Sequence, residues 1–158
     1  MQWLFDLLSN YYLISAMSGW LVAQFIKIFT GVFKLQEFTI KNMLFGTGGM
    51  PSSHTASACA LCIACALKDG LGSATVAISG VLAIIVMIDA AGVRYETGKQ
   101  AKALNLIITE LFSTDSQHAD VHFKELIGHS PLQVICGAIT GVVTACLLYL
   151  LPVYSGIL

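Results

Sequence analysis

Charge is what this chain has least of. Only 11% of its 158 residues are Asp, Glu, Lys or Arg, whereas a soluble domain carries about a quarter. So little polar surface cannot solvate a globule in water, and lipid is the expected solvent. The few charges nearly cancel, to a net −1, which excludes the basic surface that nucleic acid requires. The N-terminal "MQWLFDLLSNYY" lacks a basic region and a small-residue cleavage site, so no removable signal peptide is expected. No internal repeat and no low-complexity linker breaks the sequence, and one domain over residues 1–158 is expected. A disulfide framework is not implied either. Cys59, Cys62 and Cys65 spell C-x-x-C-x-x-C, but iron–sulfur ligation needs a loop of exposed thiolates. In an Ala-rich helix the same cysteines are small packing residues.

What the chain has instead is apolar length: 56% hydrophobic residues and a mean hydropathy of +0.79. Four stretches, residues 12–33, 52–67, 71–90 and 131–151, are apolar enough to cross or nearly cross a bilayer. The second is short and rich in Ala, Ser and Cys, so it is expected against protein rather than lipid. Ala56, Ala60 and Ala64 make a small-residue ridge along it, and Gly137 and Gly141 repeat the device in the fourth. Lys68-Asp69-Gly70 reads as a tight turn. Over residues 97–112, Ala101, Leu104, Ile107, Ile108 and Leu111 recur at helical spacing, opposite Lys99, Lys102, Asn105 and Thr109. That pattern predicts an amphipathic helix lying in the membrane interface. The expected fold is all-α: a polytopic membrane helix bundle of about four spans plus an interfacial amphipathic helix.

The basic residues orient it. Lys27, Lys34, Lys41, Arg94, Lys99, Lys102 and Lys124 fall on one side and Lys68 alone on the other. Positive charge stays cytoplasmic, so the long connections are expected inside and both termini outside. The end of the first span, the start of the second, the end of the third and the start of the fourth then share the cytoplasmic face. Nearly every unusual polar residue sits there.

Pro51-Ser52-Ser53-His54 reads as a helix start, with Pro51 in the first turn, where its missing N–H costs nothing. The amides of Ser52, Ser53 and His54, with the serine hydroxyls and the helix dipole, would make an anion site. The plainer reading is a Ser/His-decorated cap without a ligand. His129-Ser130-Pro131 repeats the arrangement. Asp89 and Arg94 lie at the end of the third span, as a functional pair or a structural ion pair. Lys27 is either a ligand cation or a snorkelling lysine. His118 and His122, near Asp115, Asp120 and Glu125, read as a solvated loop rather than a metal site.

Together these residues resemble the phosphatidic acid phosphatase type 2 / vanadium haloperoxidase family, and in particular its divergent branch of small membrane proteins. That family carries K-x6-R-P, P-S-G-H and S-R-x5-H-x3-D. Pro51-Ser52-Ser53-His54 looks like the second motif, and His129 to Gln133 like the end of the third. Lys27 and Lys34 have the spacing of the first motif's basic pair, and "DAAGVRYETGKQAKALN" is typical of the divergent branch. The departures are Leu35 for proline, Ser53 for glycine, Phe123 for arginine and Gln133 for aspartate.

The resemblance implies a phosphatase acting on a lipid or prenyl phosphate without metal or cofactor. His129 would attack phosphorus and His54 would protonate the leaving oxygen. Lys27, Arg94 and the groups around Ser52 and Ser53 would hold the phosphoryl oxygens, and Asp89 would substitute for the carboxylate missing at Gln133. The alternative is a non-catalytic protein that binds anionic head groups, or a small transporter or scaffold with the same pocket. Four spans are fewer than the family's six-helix core, so a homodimer packed through the Ala or Gly ridges is a further expectation.

Overall fold

A computed structural model describes residues 2–30, 50–111 and 129–155. Among these residues every regular element is helical. A short α1 (Gln2–Leu8) leads into α2 (Tyr11–Phe29). Then come α3 (Ser53–Asp69) and α4 (Ala74–Ile88). A π turn (Asp89–Val93) joins α4 to α5 (Arg94–Leu111). The chain closes with α6 (Pro131–Tyr149) and α7 (Pro152–Ser155).

Side-chain oxygens close the helix starts. Asn10 accepts from the amides of Tyr12 and Leu13, while Ser52, Ser73 and Ser130 cap α3, α4 and α6. At Ser130 the cap is reciprocal: its hydroxyl accepts from the Gln133 amide and the Gln133 side chain accepts from the Ser130 amide, satisfying two otherwise orphaned donors. Pro131 takes the first helical position as expected. Pro51 does not: Ser52 is the cap, so the proline stands one residue outside the helix. Gly70 ends α3 with φ +83°, in the region that favours a residue without Cβ, and the expected Lys68-Asp69-Gly70 turn follows.

Three helical runs are long and apolar enough to cross a membrane: Tyr11–Phe29, Ala74–Glu110 and Pro131–Tyr149. Their outward faces carry Leu21 and Phe25, Ile78 and Ile85, and Ile139 and Val143, all exposed. The expected second span, α3, is less apolar and is 17 residues long, about 26 Å against a hydrocarbon core of about 30 Å. It lies at the centre of the bundle, packed by α2, α4 and α6. Its ridge explains how. Ala56, Ala60 and Ala64 are completely buried, and a Cβ placed on Gly141 of α6 would stand 2.2 Å from the Ala56 carbonyl oxygen. A Cβ on Gly19 of α2 would stand 2.8 Å from the same atom. Both small-residue ridges are therefore consumed by packing within the chain. They are not available as the homodimer contact that the sequence allowed, because a second copy would have to displace α2 or α6.

The cysteines follow the packing reading. Cys59 and Cys65 are buried and Cys62 half-buried on α3, all as free thiols, and Cys59 packs with Ala58 and Ala83. The end of the bundle away from the motifs is closed by aromatic and polar contacts. The Tyr11 hydroxyl donates to the Ala145 carbonyl at 3.1 Å, and its ring packs on Tyr149 and Tyr154. Tyr12 donates to Asp69, as does Thr75 at 2.6 Å. Tyrosines gathered at one level suit a membrane–water boundary.

The helix expected at 97–112 exists, with two differences. It begins earlier and is continuous with α4 through the π turn. The joined run of 37 residues is about 55 Å long, nearly twice the hydrocarbon thickness of about 30 Å, so the charged α5 lies beyond the apolar layer. Nor do its faces separate as expected: Asn105 is buried although Lys99, Lys102 and Thr109 are exposed, and Leu104 and Ile107 are exposed while Ala101 and Ile108 are half-buried.

Candidate functional site

The ends of α2 and α4 meet the starts of α3 and α6, and hydrogen bonds join all four. Thr30, just after α2, donates through its hydroxyl to the Met50 carbonyl at 2.9 Å. This brings the end of the first span to the segment that starts the second. Lys27, in the last turn of α2, is 1% exposed. Its ammonium donates to the Ser53 hydroxyl at 3.2 Å. Snorkelling is thereby excluded, because a snorkelling lysine keeps its head in water. Among the described residues no carboxylate neutralises this ammonium. A buried, uncompensated charge costs several kcal/mol, so an anion beside Lys27 and the first turn of α3 would be strongly favoured.

Ser52 plays a different part from the one its motif predicts. Its amide donates to the Gln133 carbonyl at 3.0 Å, so it is committed to joining α3 to α6. Its hydroxyl accepts from Thr55 through both amide and hydroxyl, leaving its own proton to donate. A Cβ on Gly137 would meet the Ser52 carbonyl oxygen at 2.5 Å, so the glycine lets the two helix starts touch. Two positive helix ends side by side, next to a buried cation, form a region selective for negative charge.

His129 is buried, immediately before the Ser130 cap. Its Nδ1 stands 3.2 Å from Gln133 Oε1, and the same Oε1 accepts from the Ser130 amide at 2.9 Å. A backbone N–H can only donate, so the Gln133 atom facing it is the oxygen. The neutral His129 imidazole therefore carries its proton on Nδ1, and Nε2 bears the lone pair. One neutral Gln133 oxygen thus faces both the His129 ring and the Ser130 amide. The His129 amide donates to the Ala90 carbonyl at 3.2 Å, binding it to the π turn.

One connected set of contacts thus runs from Ala90 through His129, Gln133, Ser52 and Ser53 to Lys27. Asp89, half-buried, opens the π turn beside Ala90. His54, in the first turn of α3, is exposed, on the rim rather than inside. Arg94 begins α5 directly after the π turn, and its side chain lies outside the description. So do Lys34, Leu35, Lys41, Phe123 and Lys124, together with His118, His122, Asp115, Asp120 and Glu125. Among the described residues no three His, Cys, Asp or Glu side chains gather as a metal-ligand set. Sequence reasoning missed Ala90, Thr30 and Thr55. The first contributes only its carbonyl, and the hydroxyls of the other two donate to Met50 and Ser52, partners that a lone threonine in the sequence does not announce.

These features define an all-α membrane bundle with a buried cation and two paired helix starts at one end. Residues 8–144 match the model of the Divergent PAP2 family, and the chain belongs to that family. It is also 35% identical over 147 residues to the "Uncharacterized membrane protein YuiD" of Bacillus subtilis (strain 168), covering 87% of this chain and 92% of that one. No solved structure matches.

Proposed function

We propose that the protein is a metal-independent membrane phosphatase for a lipid or prenyl phosphate monoester or diphosphate. The observation that carries this reading is the buried Lys27 ammonium, held on Ser53 at a helix start with no carboxylate among the described residues to neutralise it. A phosphoryl group supplies the missing negative charge. Its oxygens would be held by Lys27, Arg94 and the Ser52 and Ser53 groups. His129, with its lone pair on Nε2, attacks phosphorus as the P–O bond to the leaving group breaks, and His54 gives that oxygen its proton. Water then attacks the phosphohistidine, the P–N bond breaks, and His54 takes the water proton. Asp89, beside the carbonyl that holds His129, would supply the carboxylate that Gln133 lacks.

Six of the eight basic residues fall on the connections that flank this site and a seventh, Lys27, lies in the last turn of the first span beside it, which supports a cytoplasmic site with both termini outside. The exposed apolar faces of α2, α4 and α6 beside it favour a substrate carried in the bilayer. The neutral Gln133 favours a second reading, a protein that binds anionic head groups without turnover.

Purified protein offered phospholipid and prenyl phosphates should release inorganic phosphate and form an acid-labile phosphoenzyme, both abolished in His129→Ala. Full activity in His129→Ala would end this mechanism. Wild-type protein that binds these lipids and hydrolyses none of them would leave the binding reading in its place.

A further inference from the structure

The π turn at Asp89–Val93 is the place, among the described residues, where the hydrogen-bond ladder of a span changes its step. An α-helical carbonyl bonds the amide four residues on; in a π turn the partner is five residues on and the backbone widens. Such turns are rare and concentrate at functional sites. Here the widened turn contains Ala90, 5% exposed, whose carbonyl accepts the His129 amide at 3.2 Å. A carbonyl has two lone pairs, and one that tilts off the helix axis can accept from a neighbouring segment. The other side of His129 is held at Nδ1 by Gln133. The residue is therefore fixed at two points, its backbone by the third span and its ring by the fourth.

We infer that the π turn is a positioning device for His129, with Ala90 as the positioning residue acting through its carbonyl. This rests on the phosphatase reading for its catalytic consequence, though not for its geometry. A π turn is a one-residue insertion in an α-helix, so deleting one residue restores the α ladder, draws the Ala90 carbonyl back into it and releases His129. Gly92 is the residue to delete. A Cβ there would meet nothing within 4 Å, so neither packing nor a close approach depends on it, and Gly92→Ala is the length-matched control.

The test is amide hydrogen exchange at His129 in lipid nanodiscs, measured beside phosphoenzyme formation and inorganic phosphate binding. Wild type and Gly92→Ala should protect the His129 amide. Deletion of Gly92 should lose that protection and slow phosphoenzyme formation about a hundredfold, as expected for a misplaced reacting group. Affinity for inorganic phosphate, held in part by Lys27 and Ser53, should fall by less than the rate does, because of the phosphate-holding groups only Arg94 follows the deleted position. A deletion variant that keeps both His129 protection and the wild-type rate overturns the inference. If the deletion variant does not fold, wild type still decides: a His129 amide exchanging at the open-chain rate overturns it. If wild type forms no phosphoenzyme from any substrate, the phosphatase reading fails, and the exchange comparison alone decides the positioning.

Discussion

At the scale of single residues, Lys27 sets stability against binding. Its ammonium is buried on a neutral hydroxyl, so a methionine of similar length should relieve the desolvation penalty. Lys27→Met is expected to raise thermal stability by about 1–3 kcal/mol, the gain seen when buried charges give way to apolar side chains. The same variant should lose inorganic phosphate or vanadate binding, by about 1.5–3 kcal/mol for one charge-assisted contact. Thermal unfolding and calorimetry on the same samples check both, and a variant that is destabilised yet binds normally would make Lys27 structural. Gln133 makes a second test. Glutamate serves a capping box as well as glutamine does, so Gln133→Glu should keep the Ser130 cap while placing a carboxylate on His129 Nδ1. A neighbouring negative charge raises an imidazole's pKa, so the acid limb of the pH–rate profile should move to higher pH and the maximum rate should rise. An unchanged profile would place His129 outside the rate-determining chemistry.

At the scale of elements, the contact between α3 and α6 holds the two helix starts together. Gly141→Leu would drive a side chain into the Ala56 carbonyl, which already stands 2.2 Å from a bare Cβ. Overpacking costs about 1–3 kcal/mol or more, and here it would also part Ser52 from Gln133. Gly80→Ala, whose Cβ would meet only Cys62 Sγ at 3.7 Å, should be tolerated. Thermal unfolding in the same detergent separates the two. These contacts also show what the sequence made legible. Spacing of small residues gave the α3 and α6 ridges, and Ser-Pro gave the α6 cap, because both act through side-chain size or a fixed φ. The position of Pro51, the engagement of the Ser52 amide and the hold of Ala90 on His129 were hidden. They depend on which carbonyl lies opposite once the helices dock, and residue identity does not encode that. The burial of Asn105 in α5 was hidden for another reason: periodicity locates a face but not what packs against it.

At the scale of the molecule, the four helix ends form one site only if the spans alternate in direction. A single cysteine at position 41 and one at position 69, each in a cysteine-free background, should label from opposite sides of the membrane. Labelling of both from one side would break the threading that brings Lys27, Ser53, His129 and Asp89 to a common end. The central placement of α3 has a consequence for how the protein is made. A helix with Ser53, His54, Thr55, Ser57, Lys68 and Asp69 gains too little from acyl chains to leave the insertion channel alone. It has to enter beside α2 already in place, drawn in as the first arm of a hairpin by the far more apolar α4. A chain truncated after residue 70 should then fail to carry a C-terminal glycosylation reporter across the membrane, and one extended through α4 should hold α3 inserted. The polar surface to which we assign the phosphate site thus makes the bundle's assembly an ordered one, with the centre threaded only after a wall exists to receive it.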